Sequence, residues 1–321
     1  MKTDITSTFH KQNVSMMTTK NVLLILLISL CTLPPLSAQR SLLDESFCGL
    51  STNTATPIGN ADSLQAALTY FNDLGINRLR IELCGEQPLP ALDTLLSFTD
   101  KSLFDVFVAV PDTLLTDTLI ASLPALVNAA NHRVAAYTVV RTVYVRPDTF
   151  LSLLKTFCQA TPAALHGLSV NSANDQLFNT VARLPEIDYM ALNCGFREQR
   201  WASLDRVREA IGHVFSKMPQ LVDNAVRALE LPDKPLLIDY LDYPRDRAYH
   251  HPGSLVRMRD NVLNCALRLQ QQYSETLRGI FLGTWMDDAA AADKRPPSET
   301  LYTSDTSTLL LLARKSGEAM Q

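Results

Sequence analysis

The sequence predicts an α/β fold in which eight strand–helix units close into a (β/α)8 TIM barrel. Three stretches carry that expectation, each an apolar run that turns polar at its far end: Lys234 to Asp242 (Lys-Pro-Leu-Leu-Ile-Asp-Tyr-Leu-Asp), Val134 to Thr142, and Arg278 to Asp287. Continuous apolar runs, rather than alternating ones, mark parallel strands covered on both faces. The helical-period segments between them supply the cover.

In chain order, Ser46 to Leu50 reads as a weak first strand. Asp62 to Leu74 follows with Leu64, Ala67, Leu68 and Phe71 at helical spacing and a stop at Gly75. Ile76 to Leu83 is the second strand. The next pairs are helix 91–99 with strand 104–110, helix 116–130 with strand 134–142, helix 148–160 with strand 165–171, and helix 174–184 with strand 187–193. A longer helical region, 203–230, is expected to break at Pro219 because proline lacks the N–H that continues a helix. Strand 234–241, helix 254–273, strand 279–285 and a closing helix at 305–314 complete eight units. Eight units in about 280 residues indicate a closed barrel rather than an open dinucleotide-binding sheet of five or six strands.

Composition agrees with one large domain: 321 residues, 46% hydrophobic and 19% charged. A net charge of -4 and a pI near 5.9 leave no electrostatic footprint for nucleic acid or an anionic membrane. The chain has only 11 glycines, and no glycine-rich loop follows the first strand. No nucleotide cofactor, and no other cofactor, is therefore expected.

Residues 1–38 read as a signal peptide and residues 39–321 as the barrel. Lys20 precedes the apolar run Val22 to Cys31, which is short for a membrane span, and Ala38 offers a cleavage site. The polar lead Met1 to Ser15 points to a translation start at Met16 or Met17. Leu30 before Cys31 argues against a lipoprotein. The mature chain is expected in the periplasm, at the cell surface or outside the cell, with no membrane span of its own. It keeps Cys48, Cys84, Cys158, Cys194 and Cys265 with no CxxC spacing, which disfavours zinc. In the barrel reading Cys48 and Cys84 end neighbouring strands and are candidates for a disulfide; equally, all five are small buried hydrophobes.

Chemistry in such a barrel belongs at the C-terminal strand ends. Those ends carry Glu82, Asp112, Arg141, Thr142, Asn171, Asn193, Cys194, Asp239, Tyr240, Asp242, Trp285, Asp287 and Asp288. This polar, acidic and aromatic rim suits a neutral polyhydroxylated ligand better than a phosphate.

The order and form of Gly75-Ile-Asn-Arg-Leu-Arg80, Val134-Ala-Ala-Tyr137, Ile187-Asp-Tyr189, Lys234-Pro-Leu236 and Gly283-Thr-Trp285 resemble the clan of retaining (β/α)8 glycoside hydrolases, especially family 5 enzymes of the β-mannanase or cellulase kind. The resemblance implies that Arg80 orients a nucleophile and that Trp285 floors a sugar subsite. It also exposes departures. The acid/base position reads Thr142 after Arg141, the nucleophile position six residues after Lys234 reads Tyr240, and the usual histidine of strand six is Asn193. Retaining hydrolysis needs two carboxyl groups about 5 to 5.5 Å apart, and neither Thr142 nor Tyr240 supplies one.

Strand alternation would place Tyr240 inside and Asp239 toward the helices. Glu82, two after Arg80, and Asp242, two after Tyr240, are then the carboxylates able to reach the mouth. Their alternative role is in ion pairs with Arg80, Arg141 or Arg245. His250-His251 read as a surface turn before Pro252 rather than a metal site, and Trp201 and Trp285 have packing roles as their alternative. Two functions remain: a glycosidase with displaced catalytic groups (the carboxylates of Glu82 and Asp242, or the phenol of Tyr240) that binds polysaccharide or oligosaccharide through Arg80, Arg141, Asn193 and Trp285, or a non-catalytic carbohydrate-binding or envelope-assembly barrel.

Overall fold

Each apolar run forms a strand, and the strands pair in chain order until the eighth returns to the first. The computed structural model describes residues 41–55, 61–141, 146–175, 177–194, 204–241, 252–286, 301–302 and 308–313. The chain divides into two units, Met1–Leu42 and Leu43–Gln321, and the barrel lies within the second. Its elements are β1 (Phe47–Asn53), α1 (Ala61–Asp73), β2 (Arg78–Glu82), α2 (Pro88–Lys101), β3 (Asp105–Pro111), α3 (Asp117–Ala129), β4 (Ala136–Val140) and α4 (Pro147–Ala160). They continue with β5 (Leu165–Val170), α5 (Phe178–Ala182), β6 (Tyr189–Cys194), α6 (Leu204–Leu229), β7 (Leu236–Leu241), α7 (Pro252–Gln272), β8 (Leu277–Met286) and a short β9 (Leu301–Tyr302). Residues 308–313 form α8. All pairings are parallel, β1 pairs with β8, and the barrel is closed. Among the described residues no helix is long and apolar enough to cross a membrane.

Contacts between strands that are not neighbours must cross the lumen, and they show what fills it. Phe107 on β3 meets Phe47 on β1 at 5.8 Å, Phe281 on β8 at 5.0 Å and Tyr189 on β6 at 6.4 Å between ring centroids. Glycines make room for these rings. A Cβ on Gly49 would lie 2.7 Å from the ring of Phe281, and one on Gly167 would enter the ring of Tyr189. The opposite strand faces, such as Leu79 and Ile81 of β2 and Val106, Val108 and Val110 of β3, join Leu64, Leu68 and Phe71 of α1 in the layer beneath the helices. Lys234 enters β7 with its ammonium donating to the carbonyls of Leu184 and Ile187, which ties the start of β7 to the approach to β6.

Two expectations are corrected. Pro219 does not break α6, which runs through it from Leu204 to Leu229. The lost hydrogen bond is tolerated because Met218, Val222, Ala225 and Leu229 bury one face across that point. Cys48 and Cys84 do not pair. Neither is in a disulfide, nor are Cys158, Cys194 and Cys265. The β1–β2 register sets Leu50 opposite Leu79. Cys48 is therefore level with the chain just before β2, and Cys84 follows its far end, a separation of roughly 20 Å along the strand direction. A disulfide needs its Cα atoms within about 7 Å. Cys48 instead lies 3.9 Å from the Oε1 of Gln270 on α7.

A polar staple fastens α2 to the entry of β4. His132 meets Asp100 at 2.7 Å through Nδ1 and Asp93 at 2.9 Å through Nε2, and Asp100 also accepts from the backbone N–H of Arg133 at 3.0 Å. Burial opposes the charged imidazole, but hydrogen bonds to the two carboxylates outweigh it and raise its pKa. A raised folded-state pKa contributes stability that is fully present below the unfolded value of about 6.5 and is lost as pH rises through the folded value. The difference in urea midpoint between the native chain and His132→Ala should therefore be larger at pH 6 than at pH 9. In the lumen, Gly167→Ala should cost about 1 to 3 kcal/mol through overpacking against Tyr189, measured by denaturant unfolding.

Candidate functional site

One guanidinium gathers three strands at the C-terminal end of the lumen. Arg80 of β2 is fully buried. Its Nη1 donates to Ser51 Oγ on β1 at 3.1 Å, its Nη2 donates to Glu82 Oε2 at 2.8 Å, and its Nε lies 3.0 Å from Asp239 Oδ1 on β7. That last contact is an ion pair whose alignment falls short of a hydrogen bond, so neither oxygen of Asp239 has a hydrogen-bond donor among the described residues. Burial works against the charge on Arg80, yet the carboxylates of Asp239 and Glu82 more than offset it and hold its pKa above the ordinary value.

A β-bulge explains why Asp239 is there. Leu192 of β6 is opposite Ile238, but its successor Asn193 is opposite Tyr240, so Asp239 is an extra residue in the β6–β7 ladder. A bulge places two consecutive side chains on the same face. Asp239 contacts the guanidinium directly, and the ring of Tyr240 lies with its centroid 5.5 Å from the guanidinium carbon. The expectation that Asp239 faces the helices is thus overturned: strict alternation fails at the one position where it decided the assignment.

A second bulge redirects Trp285. Between β1 and β8 the register passes from Leu50–Leu282 to Ser51–Thr284, leaving Gly283 over. The indole of Trp285 is 2% exposed and meets the ring of Phe71 on α1 edge-on at 5.0 Å. It packs in the layer under the helices, so it is not placed to floor a sugar subsite. Arg141, just after β4, is tied to its neighbours. Its Nε pairs with Asp175 at 2.8 Å beyond β5, and its guanidinium lies 5.3 Å from the Phe150 ring centroid on α4.

Of the sequence-predicted residues, the structure brings together Arg80, Glu82 and Tyr240, with Asn193 directly across the ladder from Tyr240. Thr142, Asp242, Arg245, Asp287, Asp288, Trp201, His250 and His251, like the segment read as a signal peptide, lie outside the described residues. Sequence reasoning missed Ser51 and Asp239 as partners of Arg80. It also missed the pair beneath them, Tyr189 and Thr138, whose hydroxyls are 2.6 Å apart. Burial pushes the Tyr189 phenol far above its ordinary pKa, so it stays neutral.

The two carboxylates on Arg80 differ in access. The side chain of Asp239 is 1% exposed, whereas that of Glu82 is 31% exposed. Of the two carboxylates on Arg80, only Glu82 is open to the mouth, beside the ring of Tyr240 and near the amide of Asn193. No three His, Cys, Asp or Glu side chains converge among the described residues as a metal site.

Comparison of the whole fold places this geometry. A glycoside hydrolase family 5 mannosidase from Rhizomucor miehei superposes with a TM-score of 0.60 at 12% identity over 86% of this chain and 93% of its own. The endo-1,4-β-D-mannanase of Thermotoga petrophila gives 0.57 at 9% identity over 85% and 99%. The chain has a (β/α)8 barrel fold like that of these two enzymes. A GH2 β-galacturonidase from Eisenbergiella tayi shares the architecture more distantly, with a TM-score of 0.53 at 11% identity over 83% of this chain and 50% of its own. No family model and no curated protein matches the sequence. At these identities the likeness is one of fold, and function has to be argued from the site.

Removing one member of the Arg80–Asp239 pair leaves a buried charge uncompensated. Arg80→Met should destabilise the chain by about 3 to 5 kcal/mol, and the double variant Arg80→Met/Asp239→Leu should regain most of that loss. A double-mutant cycle by chemical denaturation checks both.

Proposed function

We propose that this chain is an exported (β/α)8 protein that binds polysaccharide or oligosaccharide at the mouth of its barrel, without the two-carboxylate chemistry of a retaining glycosidase. The observation that carries this reading is the unequal exposure of the two carboxylates on Arg80. A nucleophile must touch the anomeric carbon, and a general acid must touch the leaving oxygen. Asp239 is walled in behind the guanidinium, while Glu82 is open. Glu82, Tyr240 and Asn193 together offer an acceptor, a phenol and an amide, a set that suits sugar hydroxyls. The mannosidase and mannanase folds support a β-mannan or related β-glycan as the first ligand class to test. The apolar run Val22 to Cys31, followed by the small residue Ala38, supports export to the periplasm, cell surface or medium, with processing after Ala38.

A second reading is favoured by the same cluster: a hydrolase in which Glu82 and Asp239 act together once Asp239 is uncovered. Binding and reducing-end release by the mature chain, Gln39–Gln321, on β-mannans, β-glucans, xylans and host glycans separate the two. The binding reading expects saturable retention without release, and weakening of about tenfold in Kd, about 1.4 kcal/mol, for Glu82→Gln. Release that disappears in both Glu82→Gln and Asp239→Asn would establish the hydrolase. Folded protein that neither binds nor cleaves any glycan of the panel would refute both.

A further inference from the structure

Each nitrogen of the Arg80 guanidinium faces a partner among the described residues. Nε faces β7 through Asp239, Nη1 faces β1 through Ser51, and Nη2 faces Glu82 on its own strand. A planar fork engaged on three sides cannot turn without giving up a partner. The side chains that engage it are not equivalent, since Ser51 and Asp239 are sealed in the lumen and Glu82 is half-exposed.

We infer that Asp239 and Ser51 are positioning residues that aim Arg80 at Glu82, so that Glu82 is presented to the mouth in one orientation. This inference rests on the carbohydrate reading for its use, but not for its test. It reverses the relation that the sequence resemblance implies: the carboxylate of β7 serves the arginine, and the arginine serves a carboxylate on its own strand. With Oε2 of Glu82 held by Nη2, its remaining acceptor capacity is available to a donor hydroxyl from outside. Among the described residues, the charged and titratable groups gathered here are Arg80, Glu82 and Asp239, with Tyr240 beside the guanidinium and the neutral Tyr189 rising from β6 beneath.

The test follows the ionisation of Glu82 itself. The carboxyl carbons of Asp and Glu are labelled with carbon-13, the Glu82 signal is assigned from Glu82→Gln, and its midpoint is measured by NMR in the native chain, in Asp239→Glu and in Ser51→Ala. Asp239→Asn removes a negative charge and so lowers the Glu82 midpoint through the Arg80 cation whatever the role of Asp239; the charge-conserving Asp239→Glu holds that effect constant while changing the reach from β7. In Asp239→Glu, and in Ser51→Ala, which keeps both carboxylates but releases Nη1, the guanidinium is no longer aimed at Glu82 and the Glu82 midpoint should rise. A merely structural Asp239 or Ser51 would lower the melting temperature and leave the midpoint of these two variants in place. An unmoved Glu82 midpoint in folded Ser51→Ala, or in folded Asp239→Glu, overturns the inference. Titration of β-1,4-mannohexaose into the same proteins is read separately. Absence of binding to the native chain counts against the carbohydrate reading in its β-mannan form, whereas the midpoints alone decide the positioning roles.

Discussion

The mouth of this barrel depends on one buried cation. Placing a guanidinium in the lumen, out of contact with water, is costly unless counter-charge and acceptors surround it. Here the surroundings come from three strands that are far apart in sequence: Ser51, Asp239 and the nearby Glu82. The cluster therefore acts as a cross-brace as well as a site. It couples β1, β2 and β7 at their C-terminal ends, where the lumen is no longer filled by the rings of Phe47, Phe107, Tyr189 and Phe281. Below, glycines at 49, 167 and 279 let aromatic rings occupy the space; above, charge and hydrogen bonding take over.

Most of the barrel was legible in the sequence because its determinants are local. A strand covered on both faces must be apolar along its length, and a covering helix must be apolar on one side. Lys234-Pro-Leu, Arg278-Gly-Ile and the helical spacing of Leu64, Ala67, Leu68 and Phe71 all report on those requirements within a few residues. Boundaries drifted by one to four residues where polar ends gave no contrast. The proline at 219 was misjudged because tertiary burial of Met218, Val222 and Ala225 outweighs a local propensity.

The candidate site was legible only in part, and the reason is register. Arg80 and Glu82 were found because residues two apart on a strand share a face. Asp239 is misassigned by that rule because it holds only while the ladder is regular; Trp285, placed in a sugar subsite by the resemblance, takes its packing alternative at the second bulge. One extra residue, Asp239 against β6 or Gly283 against β1, changes which side chains enter the lumen beyond it. The β8 bulge leaves one weak local mark, Gly283 inside a strand pattern, and the β7 bulge leaves none; both are fixed by pairing with a strand tens or hundreds of residues away. The cysteines fail for a related reason: adjacency of β1 and β2 says nothing about height along them, and the register sets Cys48 and Cys84 at opposite ends.

The two bulges act on the site in opposite senses. The bulge in β7 brings a carboxylate inward and gives Arg80 a counter-ion; the one in β8 carries an indole outward, where it contributes apolar packing against Phe71 in place of a sugar-facing surface. A shift in either pairing would change which side chain meets the lumen and leave the alternation of strands and helices untouched. The fold and the chemistry at its mouth are therefore separable quantities in this chain. The barrel follows from burial, which many substitutions satisfy, whereas the mouth follows from two ladder irregularities and one buried cation. Such a barrel can keep the fold that it shares with glycoside hydrolases across most of its length while the side chains at its strand ends change.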